Sequence, residues 1–303
     1  MTQFTTLQQK IHEILPEINL KLHENLSEHT SFKIGGPAEI MAFPKSRNEL
    51  RNLLAFADEY RCPCRILGAG TNILAPDSGL DGVTICMKDA FNGVRLGDAG
   101  TVIVSAGTTM TRAASFAARH ALAGMEFAHG IPGTIGGGIY MNAGAYGGEL
   151  KDICVSVETM DMQGYTHIYD KDQMCFSYRS SILQQKQEIV ISATFALSQD
   201  DPERIKARMK ELKAKRSASQ PLKLPSAGSA FKRPEGAYAA ALIDQAGLKG
   251  FRVGDAAVSE KHAGFVVNLG NATASDVRVL LEQVSDRVRL HSGYSLQPEI
   301  RIW

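Results

Sequence analysis

The chain has 303 residues, a formal net charge of +1 at pH 7 and 44% hydrophobic residues. This length and composition predict two or three globular domains with enough apolar residues to form cores. The near-neutral charge argues against wholesale binding to nucleic acid or anionic membranes, and no apolar run approaches the ~18 residues of a membrane span. Since the N-terminus also lacks a charged segment followed by an apolar one, we expect a cytoplasmic protein.

Cysteine and histidine patterns give no sign of a metal site. The five cysteines are scattered along the chain, as is typical of reduced thiols. Cys62 and Cys64 form a C-x-C pair, but no second pair completes a zinc site, and none of the eight histidines belongs to an H-E-x-x-H pattern. We expect no bound metal.

The N-terminal part reads as helices alternating with strands. The predicted elements are a helix from Phe4 to Leu15, a strand from Glu39 to Phe43, a helix capped by Ser46 and Glu49 that reaches Tyr60, and a strand Arg65-Ile66-Leu67. The last strand runs into Gly68-Ala69-Gly70-Thr71-Asn72. A dinucleotide-binding fingerprint fails there, because Ile73 replaces its third glycine. Backbone N–H groups and the Thr71 and Asn72 side chains could still bind a phosphate.

A dense glycine run from His129 to Gly148 dominates the middle of the chain. Before it we expect strands at Val83–Met87 and Val102–Ala106 and a helix from Thr109 to His120. No Lys-Ser or Lys-Thr follows the glycines, so the run is not a Walker A loop. Two interpretations stay open: bare N–H groups converging on an anion, or two tight turns flanking a buried strand.

The remaining pattern predicts an α+β fold. The expected elements are a hairpin of Val155–Asp161 with Tyr165–Tyr169, a strand Ile189–Leu197, a helix capped by Asp201 and reaching Arg216, a linker at Ser219–Pro225, a helix Ala237–Ala246, a strand Ala263–Asn268, a helix capped by Thr273 and a last strand Leu296–Ile302. Pro298 indicates an edge position in that strand. Strands and helices do not alternate regularly, which favours α+β over α/β.

Several motifs in register resemble one family, the UDP-N-acetylenolpyruvoylglucosamine reductases (UDP-N-acetylmuramate dehydrogenases). They are Ser31–Gly36, Gly68–Asn72, Ile131–Gly136, Asn142–Gly147, Ser177-Tyr178-Arg179-Ser180-Ser181, Ala227–Lys232 and Leu296–Arg301. Together they cover nearly the whole chain. Lys261–Phe265 and the short gap after Arg179 look like the shorter form of the family, which lacks an inserted loop bearing a substrate-contacting tyrosine.

The resemblance implies a fold, a domain division and a reaction. It implies a two-lobed FAD-binding region of the vanillyl-alcohol-oxidase (PCMH) type, with lobes at residues 1–66 and 67–196, and a smaller α+β substrate domain at 197–303. NADPH would reduce a non-covalently bound FAD, which would pass hydride to UDP-N-acetylglucosamine enolpyruvate. The product, UDP-N-acetylmuramate, is a peptidoglycan precursor, which would link the protein to cell-wall synthesis, cell shape and division.

Three residues would carry the chemistry. Hydride addition to the vinyl carbon leaves charge beside the substrate carboxylate, so the reaction needs a group that stabilises an enolate and an acid that supplies a proton. The planar fork of Arg179 suits the first task. The resemblance assigns the proton to Ser229, and makes Glu299 assist Arg179 or place the proton.

The resemblance also implies ligand contacts. The cofactor set is Gly68, Ala69, Gly70, Thr71, Asn72, Gly130, Ile131, Pro132, Gly133, Thr134, Gly136, Gly137, Asn142 and Gly144, with Arg216 and Arg301 as further candidates. Tyr146, Lys232 and His262 would contact the nucleotide sugar. The sequence gives no sign of covalent flavin attachment, although His129 lies beside the glycine-rich loop. Two rivals are another oxidoreductase on the same fold and a catalytically inactive flavin-binding protein. The presence of Arg179, Ser229 and Glu299 together counts against both.

Overall fold

A computed structural model describes residues 3–88 and 90–303. The chain divides into two compact units. The first comprises the chain up to His23, Glu39–Ala69 and Asp81–Ala214; the second comprises Glu24–Ala38, Gly70–Leu80 and Lys215–Trp303. Within the described ranges, no helix combines the length and the apolar character that crossing a membrane requires.

Helices and strands are mixed along the whole chain, which confirms the predicted α+β class. The helices are α1 Gln3–Ile14, α2 Arg47–Glu59, α3 Met110–Arg119, α4 Ile135–Met141, α5 Leu150–Ile153, α6 Pro202–Ser219, α7 Ala239–Gln245 and α8 Ala274–Ser292. The strands are β1 Asn19–Asn25, β2 Pro37–Phe43, β3 Cys64–Leu67, β4 Ile73–Leu74, β5 Leu80–Cys86, β6 Val94–Leu96, β7 Thr101–Ser105, β8 Leu122–Ala123, β9 Gly144–Ala145, β10 Gly148–Glu149, β11 Cys154–Asp161, β12 Thr166–Asp170, β13 Glu188–Ala196, β14 Ser198–Gln199, β15 Ser226–Ser229, β16 Arg252–Val253, β17 Ala256–Val258, β18 Phe265–Asn268 and β19 Arg301–Ile302.

Two larger sheets organise the first unit. One has the strand order β1-β2-β5-β3 and the other β12-β11-β13-β7-β6. The predicted hairpin is confirmed, since β11 and β12 pair antiparallel with Val157 opposite Tyr169. One apolar core joins α1 and α2 to β2 and β5, and another packs β7, β11 and β13 with α3, α4 and α6. These cores give the first unit a rigid support for its loops.

The predicted helix starts are confirmed by their capping contacts. Ser46, Thr109 and Thr273 each accept a hydrogen bond from the backbone N–H three residues later, as N-cap side chains do. The carboxylate of Asp201 accepts the Glu203 N–H at 2.9 Å at the start of α6. That helix runs to Ser219, three residues beyond the predicted Arg216, so its last turn replaces the start of the predicted linker.

Segments distant in sequence build the second unit. Its main sheet has the order β15-β18-β17-β16, and β4 pairs parallel with β19. Both carboxylate oxygens of Asp77 accept backbone N–H groups at the start of α8, from Ala274 at 2.7 Å and Ser275 at 3.1 Å. Asn268 donates to the carbonyl of Phe32 at 3.1 Å. The segments around Phe32 and Asp77 are therefore integral to a unit formed mostly by the C-terminal part, and the division at residues 66/67 and 196/197 stays a prediction.

The C-terminal strand is much shorter than predicted. Only Arg301–Ile302 of the predicted Leu296–Ile302 forms a regular strand. Upstream, Pro298 makes an isolated antiparallel bridge with Phe231. The bonds that flank this bridge run from Glu299 N–H to the Ala230 carbonyl and from Lys232 N–H to the Gln297 carbonyl. Pro298 thus occupies a position that needs no donor, which explains how a proline fits there.

Candidate active site

The middle of the glycine run forms helix α4, Ile135–Met141, and not a buried strand between two turns. Gly136, Gly137 and Gly138 lie in α4, and Thr134 caps its start. Two amides of the first turn are already bonded inside the protein, from Ile135 to the Thr108 carbonyl and from Gly136 to the Ala106 carbonyl, both at 2.8 Å. These two amides are therefore not available to an anion, and any anion contact of the run falls to its other N–H groups.

Two of the predicted cofactor loops meet inside the first unit. A Cβ added to Gly68 would lie 2.6 Å from Thr134 Oγ1, so only glycine permits this approach. Gly137 is exposed at the first turn of α4, and a Cβ there would meet nothing nearer than Thr134 Oγ1 at 3.7 Å. Beside it, Gly133 has φ +125° and its carbonyl accepts the Met110 N–H. This open backbone surface fits the extended diphosphate part of a dinucleotide cofactor.

Asn142 lies at the centre of a buried network. It ends α4 in the left-handed conformation, with φ +42°, and it is fully buried. Its Nδ2 donates to the Ser177 carbonyl at 2.9 Å and to a Glu149 carboxylate oxygen at 3.1 Å, while its Oδ1 accepts the Lys151 N–H at 3.0 Å. Its side chain thus joins α4 to the turn that carries Arg179, and its predicted contact with the cofactor stays a prediction.

Arg179 stands at the tip of a tight turn. Ser177 and Ser180 exchange backbone hydrogen bonds of 3.1 and 3.2 Å, leaving Tyr178 and Arg179 between them. Arg179 has φ +55°, a region that non-glycine residues seldom occupy. Its guanidinium donates to the Gly144 carbonyl at 3.3 Å, and its own carbonyl accepts from Gln184 at 2.9 Å. The turn fixes the guanidinium beside the predicted cofactor residue Gly144.

Tyr146 lies two residues after Gly144, whose carbonyl accepts from Arg179. It follows β9, which pairs with β10 through Gly144 opposite Glu149. Its side chain is 40% exposed and its backbone is left-handed, with φ +54°. Tyr146 is therefore accessible to a ligand of the first unit, and its substrate contact stays a prediction.

Ser229 and Glu299 lie on neighbouring segments of the second unit. Ser229 pairs with Phe265, and the next residue, Ala230, donates its N–H to the Gly264 carbonyl at 2.8 Å. On its other side, the Ala230 carbonyl accepts the Glu299 N–H at 2.9 Å. Both Ser229 and Glu299 are half-buried. The structure therefore brings two members of the predicted catalytic trio together, while Arg179 belongs to the first unit.

Asn72 brings a further segment next to the segments that carry Ser229 and Glu299. Its Nδ2 donates to the Glu299 carbonyl at 3.1 Å. Its own carbonyl accepts the Arg301 N–H at 2.9 Å, next to the β4–β19 pair in which Ile73 lies opposite Arg301. Glu299 lies outside any regular strand, contrary to the prediction. Four segments thus lie side by side and form one row: 264–265, 229–232, 297–301 and 72–74.

His262 and Lys232 lie on this row as well. His262 Nδ1 accepts the Gly264 N–H at 3.1 Å, and its ring meets the Phe265 ring edge-on at 5.0 Å. Burial lowers the pKa of His262, and the charge of Lys249 adds a smaller effect in the same direction. The neutral ring then carries its proton on Nε2. Lys232 donates its N–H to the Gln297 carbonyl, one residue beyond the Phe231–Pro298 bridge.

The other predicted residues are distributed between the units. Gly68, Ala69, Gly130, Ile131 and Pro132 belong to the first unit; Gly70, Thr71, Arg216 and Arg301 belong to the second. His129 lies in a short 3₁₀ helix, its carbonyl accepts from Thr111 at 2.7 Å, and burial lowers its pKa. Sequence reasoning missed Glu149 and Ala230, whose contacts join residues that no local pattern connects.

Two family models match the chain. Residues 220–303 match the C-terminal domain of UDP-N-acetylenolpyruvoylglucosamine reductase, and residues 38–169 match an FAD binding domain. The second match includes Gly68, Thr134 and α4, where the backbone leaves room for a cofactor. The predicted FAD-binding fold is therefore confirmed, while the bounds of its two lobes stay a prediction.

Relatives named UDP-N-acetylenolpyruvoylglucosamine reductase align over almost the full length. The protein from Caldanaerobacter subterraneus subsp. tengcongensis is 48% identical over 97% of this chain and 96% of the relative. The Clostridium beijerinckii protein is 42% identical over 99% of this chain and 97% of the relative. The crystal structure of the Thermus caldophilus reductase superimposes with a TM-score of 0.80 at 36% identity, covering 95% of this chain and 99% of that one.

Proposed function

The chain belongs to the UDP-N-acetylenolpyruvoylglucosamine reductase family and is an FAD-dependent oxidoreductase, and from this membership we propose the details of its reaction. It reduces UDP-N-acetylglucosamine enolpyruvate to UDP-N-acetylmuramate, with NADPH as the electron donor. The reaction takes place in the cytoplasm and supplies peptidoglycan synthesis, and so cell shape and division.

The proposed cofactor contacts come from the glycine-rich elements. Gly68, Thr134 and Gly137 support this proposal, because Gly68 lies close against the Thr134 side chain and Gly137 leaves the first turn of α4 exposed. The neighbouring residues Ala69, Gly130, Ile131, Pro132, Gly133 and Gly144, with Gly70, Thr71, Arg216 and Arg301 of the second unit, complete the proposed set. When bound, the flavin supplies hydride transfer from NADPH to the vinyl carbon of the substrate.

Arg179 stabilises the negative charge that develops on the enolpyruvyl group. A guanidinium binds a carboxylate through two parallel N–H donors, and it stays charged at every pH at which the enzyme works. The backbone of its turn is bonded at Ser177, Ser180 and Gln184. A donor fixed in advance needs little reorganisation when charge develops, which is the condition for strong transition-state stabilisation.

Ser229 supplies the proton that completes the addition, and Glu299 assists. The main observation behind this assignment is the hydrogen bond from Glu299 N–H to the carbonyl of Ala230, the residue after Ser229. A serine hydroxyl is a weak acid, so nearby charges must favour its ionised form for it to donate efficiently. Lys232 and His262, on the same row, are proposed substrate contacts together with Tyr146.

Anaerobic stopped-flow spectroscopy tests the proposal in two steps. NADPH should bleach the visible flavin absorbance, and UDP-N-acetylglucosamine enolpyruvate should then restore it. Ser229→Ala should keep the bleaching step and slow the recovery by about 10²-fold, the usual contribution of a general acid. Bleaching of the unmodified protein without recovery would reject the substrate, and equal slowing of both steps in Ser229→Ala would reject the proton-donor role.

A further inference from the structure

We propose that Asn72 is a positioning residue for Glu299, and that its side chain acts on the catalytic carboxylate through the Glu299 peptide group. The loop that ends at Asn72 was predicted from sequence to bind the cofactor. In the structure, however, the Asn72 amide is directed at the main chain of Glu299, with 3.1 Å between Nδ2 and the carbonyl oxygen.

The main chain of Glu299 is bonded on both sides. Its N–H donates to the Ala230 carbonyl at 2.9 Å, and its carbonyl accepts from Asn72. The first bond ties Glu299 to the residue that follows Ser229. The second fixes the peptide plane after Glu299, and with it the backbone dihedral that sets the direction of the Glu299 side chain. Loss of the Asn72 donor would remove this second restraint while the bond to Ala230 remains.

The second contact of Asn72 makes this restraint rigid. The Asn72 carbonyl accepts the Arg301 N–H at 2.9 Å, and Ile73 and Leu74 then pair in parallel with Arg301 and Ile302. Asn72 is thereby fixed by its own backbone to the segment that its side chain restrains. A side-chain donor anchored in this way restricts a peptide group better than one on a mobile loop.

The contact at this position requires a hydrogen-bond donor. The Glu299 carbonyl is an acceptor, so its partner must present an N–H or O–H at the length of the asparagine side chain. An aspartate in place of the asparagine would keep the shape and direct a second acceptor at the carbonyl. Displacement of a catalytic group by about 1 Å can cost about 10²-fold in rate, so we expect Asn72→Asp to slow recovery of the oxidised flavin by about ten- to a hundredfold.

This inference rests on the proposed role of Glu299, so the experiment includes Glu299→Gln. Asn72→Asp, Asn72→Ser, Glu299→Gln and the double variant Asn72→Asp/Glu299→Gln are compared as FAD-loaded enzymes. The measurements are FAD affinity by flavin fluorescence, the rate of flavin reduction by NADPH, and the rate of recovery with the enolpyruvyl substrate. Asn268→Ser is the matched control, because Asn268 also donates to a carbonyl of the second unit at 3.1 Å.

If Asn72 acts through Glu299, Asn72→Asp slows recovery of the oxidised flavin and keeps FAD affinity within about threefold of the unmodified protein. The recovery rate of the double variant is then less than about threefold below that of Glu299→Gln alone. Such non-additivity is the signature of two residues that act as one unit. Asn72→Ser loses the bond without directing a second acceptor at the carbonyl, so it should be affected less than Asn72→Asp. Asn268→Ser should lose stability without slowing recovery.

Other outcomes overturn the inference. Weaker FAD binding together with slowing of both steps would make Asn72 a cofactor ligand. Full multiplication of the two losses in the double variant would mean that Asn72 does not act through Glu299. A normal recovery rate in Asn72→Asp together with a slow rate in Glu299→Gln would reject the positioning role of Asn72 and leave the proposed role of Glu299 in place. A normal rate in Glu299→Gln would reject the proposed role of Glu299 and this inference with it.

Discussion

The turn that carries Arg179 and the segment that carries Glu299 fix their side chains in different ways. Arg179 lies in a two-residue turn with a left-handed backbone, and this turn is bonded to residues of the segment 142–184. Glu299 stays outside the left-handed region, and its main chain is bonded to Asn72 and Ala230. A strained local turn and an unstrained pairing of distant segments can thus serve the same purpose.

Both regions use the amide of an asparagine on a backbone carbonyl. Asn142 donates to Ser177, two residues before Arg179, and Asn72 donates to Glu299 itself. The difference lies in burial: Asn142 is fully buried and uses both ends of its amide, whereas Asn72 is half-buried. A left-handed non-glycine residue costs of order 1–3 kcal/mol and persists only where its surroundings enforce it. The strained turn therefore needs the stronger support.

The strongest effect should be on the chemistry at Arg179. Arg179→Ala should slow recovery of chemically reduced flavin by the enolpyruvyl substrate by about 10³-fold, as loss of one strong donor to a developing oxyanion does. The flavin should remain bound and reducible. Stopped-flow absorbance measures the rate, with Arg179→Lys as the control that retains charge but loses the planar fork. A protein that loses its flavin would instead make Arg179 part of cofactor binding or folding.

The next largest effect is a difference in the free energy of unfolding between variants of Asn142 and Asn72. Asn142→Ala removes three side-chain hydrogen bonds from a buried left-handed position, and should lower the free energy of unfolding by about 2–3 kcal/mol. Asn72→Ala removes one hydrogen bond from a half-buried position and should cost about 1 kcal/mol. Urea unfolding of both variants measures the difference. Equal losses would show that burial does not separate the two networks.

A glycine substitution tests the backbone strain directly. Because the left-handed region is open to glycine, Arg179→Gly should be more stable than Arg179→Ala by about 1 kcal/mol. The order should reverse at the unstrained position, with Glu299→Gly less stable than Glu299→Ala by about 0.5–1 kcal/mol. Thermal or urea unfolding of the four proteins compares them. The same order at both positions would contradict the assignment of strain to the Arg179 turn alone.

The weakest effect is on the pH dependence of stability, to which we expect His262 and His129 to contribute. Burial lowers the pKa of His262 in the second unit and of His129 in the first, below the usual value of 6.5. A histidine with a lowered folded pKa binds its proton more readily when unfolded, so its contribution is present above pH 6.5 and is lost as pH falls towards the folded pKa. Melting temperatures measured from about pH 7.5 to 5 should fall less for His262→Gln and His129→Gln. An unchanged slope in either variant would reject that residue's contribution.

Local structure, the fold class and the family could be predicted from the order of residues alone. Caps at Ser46 and Thr273 could be predicted because the donor and acceptor lie within three residues of each other. The hairpin around Gly164 is likewise a short-range pattern. The family motifs pointed to an FAD-dependent reductase, because ordered motifs along most of a chain are specific even when each alone is modest.

The contacts of those residues depend on the folded arrangement of the chain. Asn72 and Glu299 are 227 positions apart, and no periodicity or cap relates residues at such a distance. The glycine run became a helix because the Ala106 and Thr108 carbonyls accept the amides of its first turn, a contact that depends on where the end of β7 lies. Segments 24–38 and 70–80 joined the C-terminal unit for the same reason. Pairing between distant segments is set by packing and register in three dimensions, which local sequence does not encode.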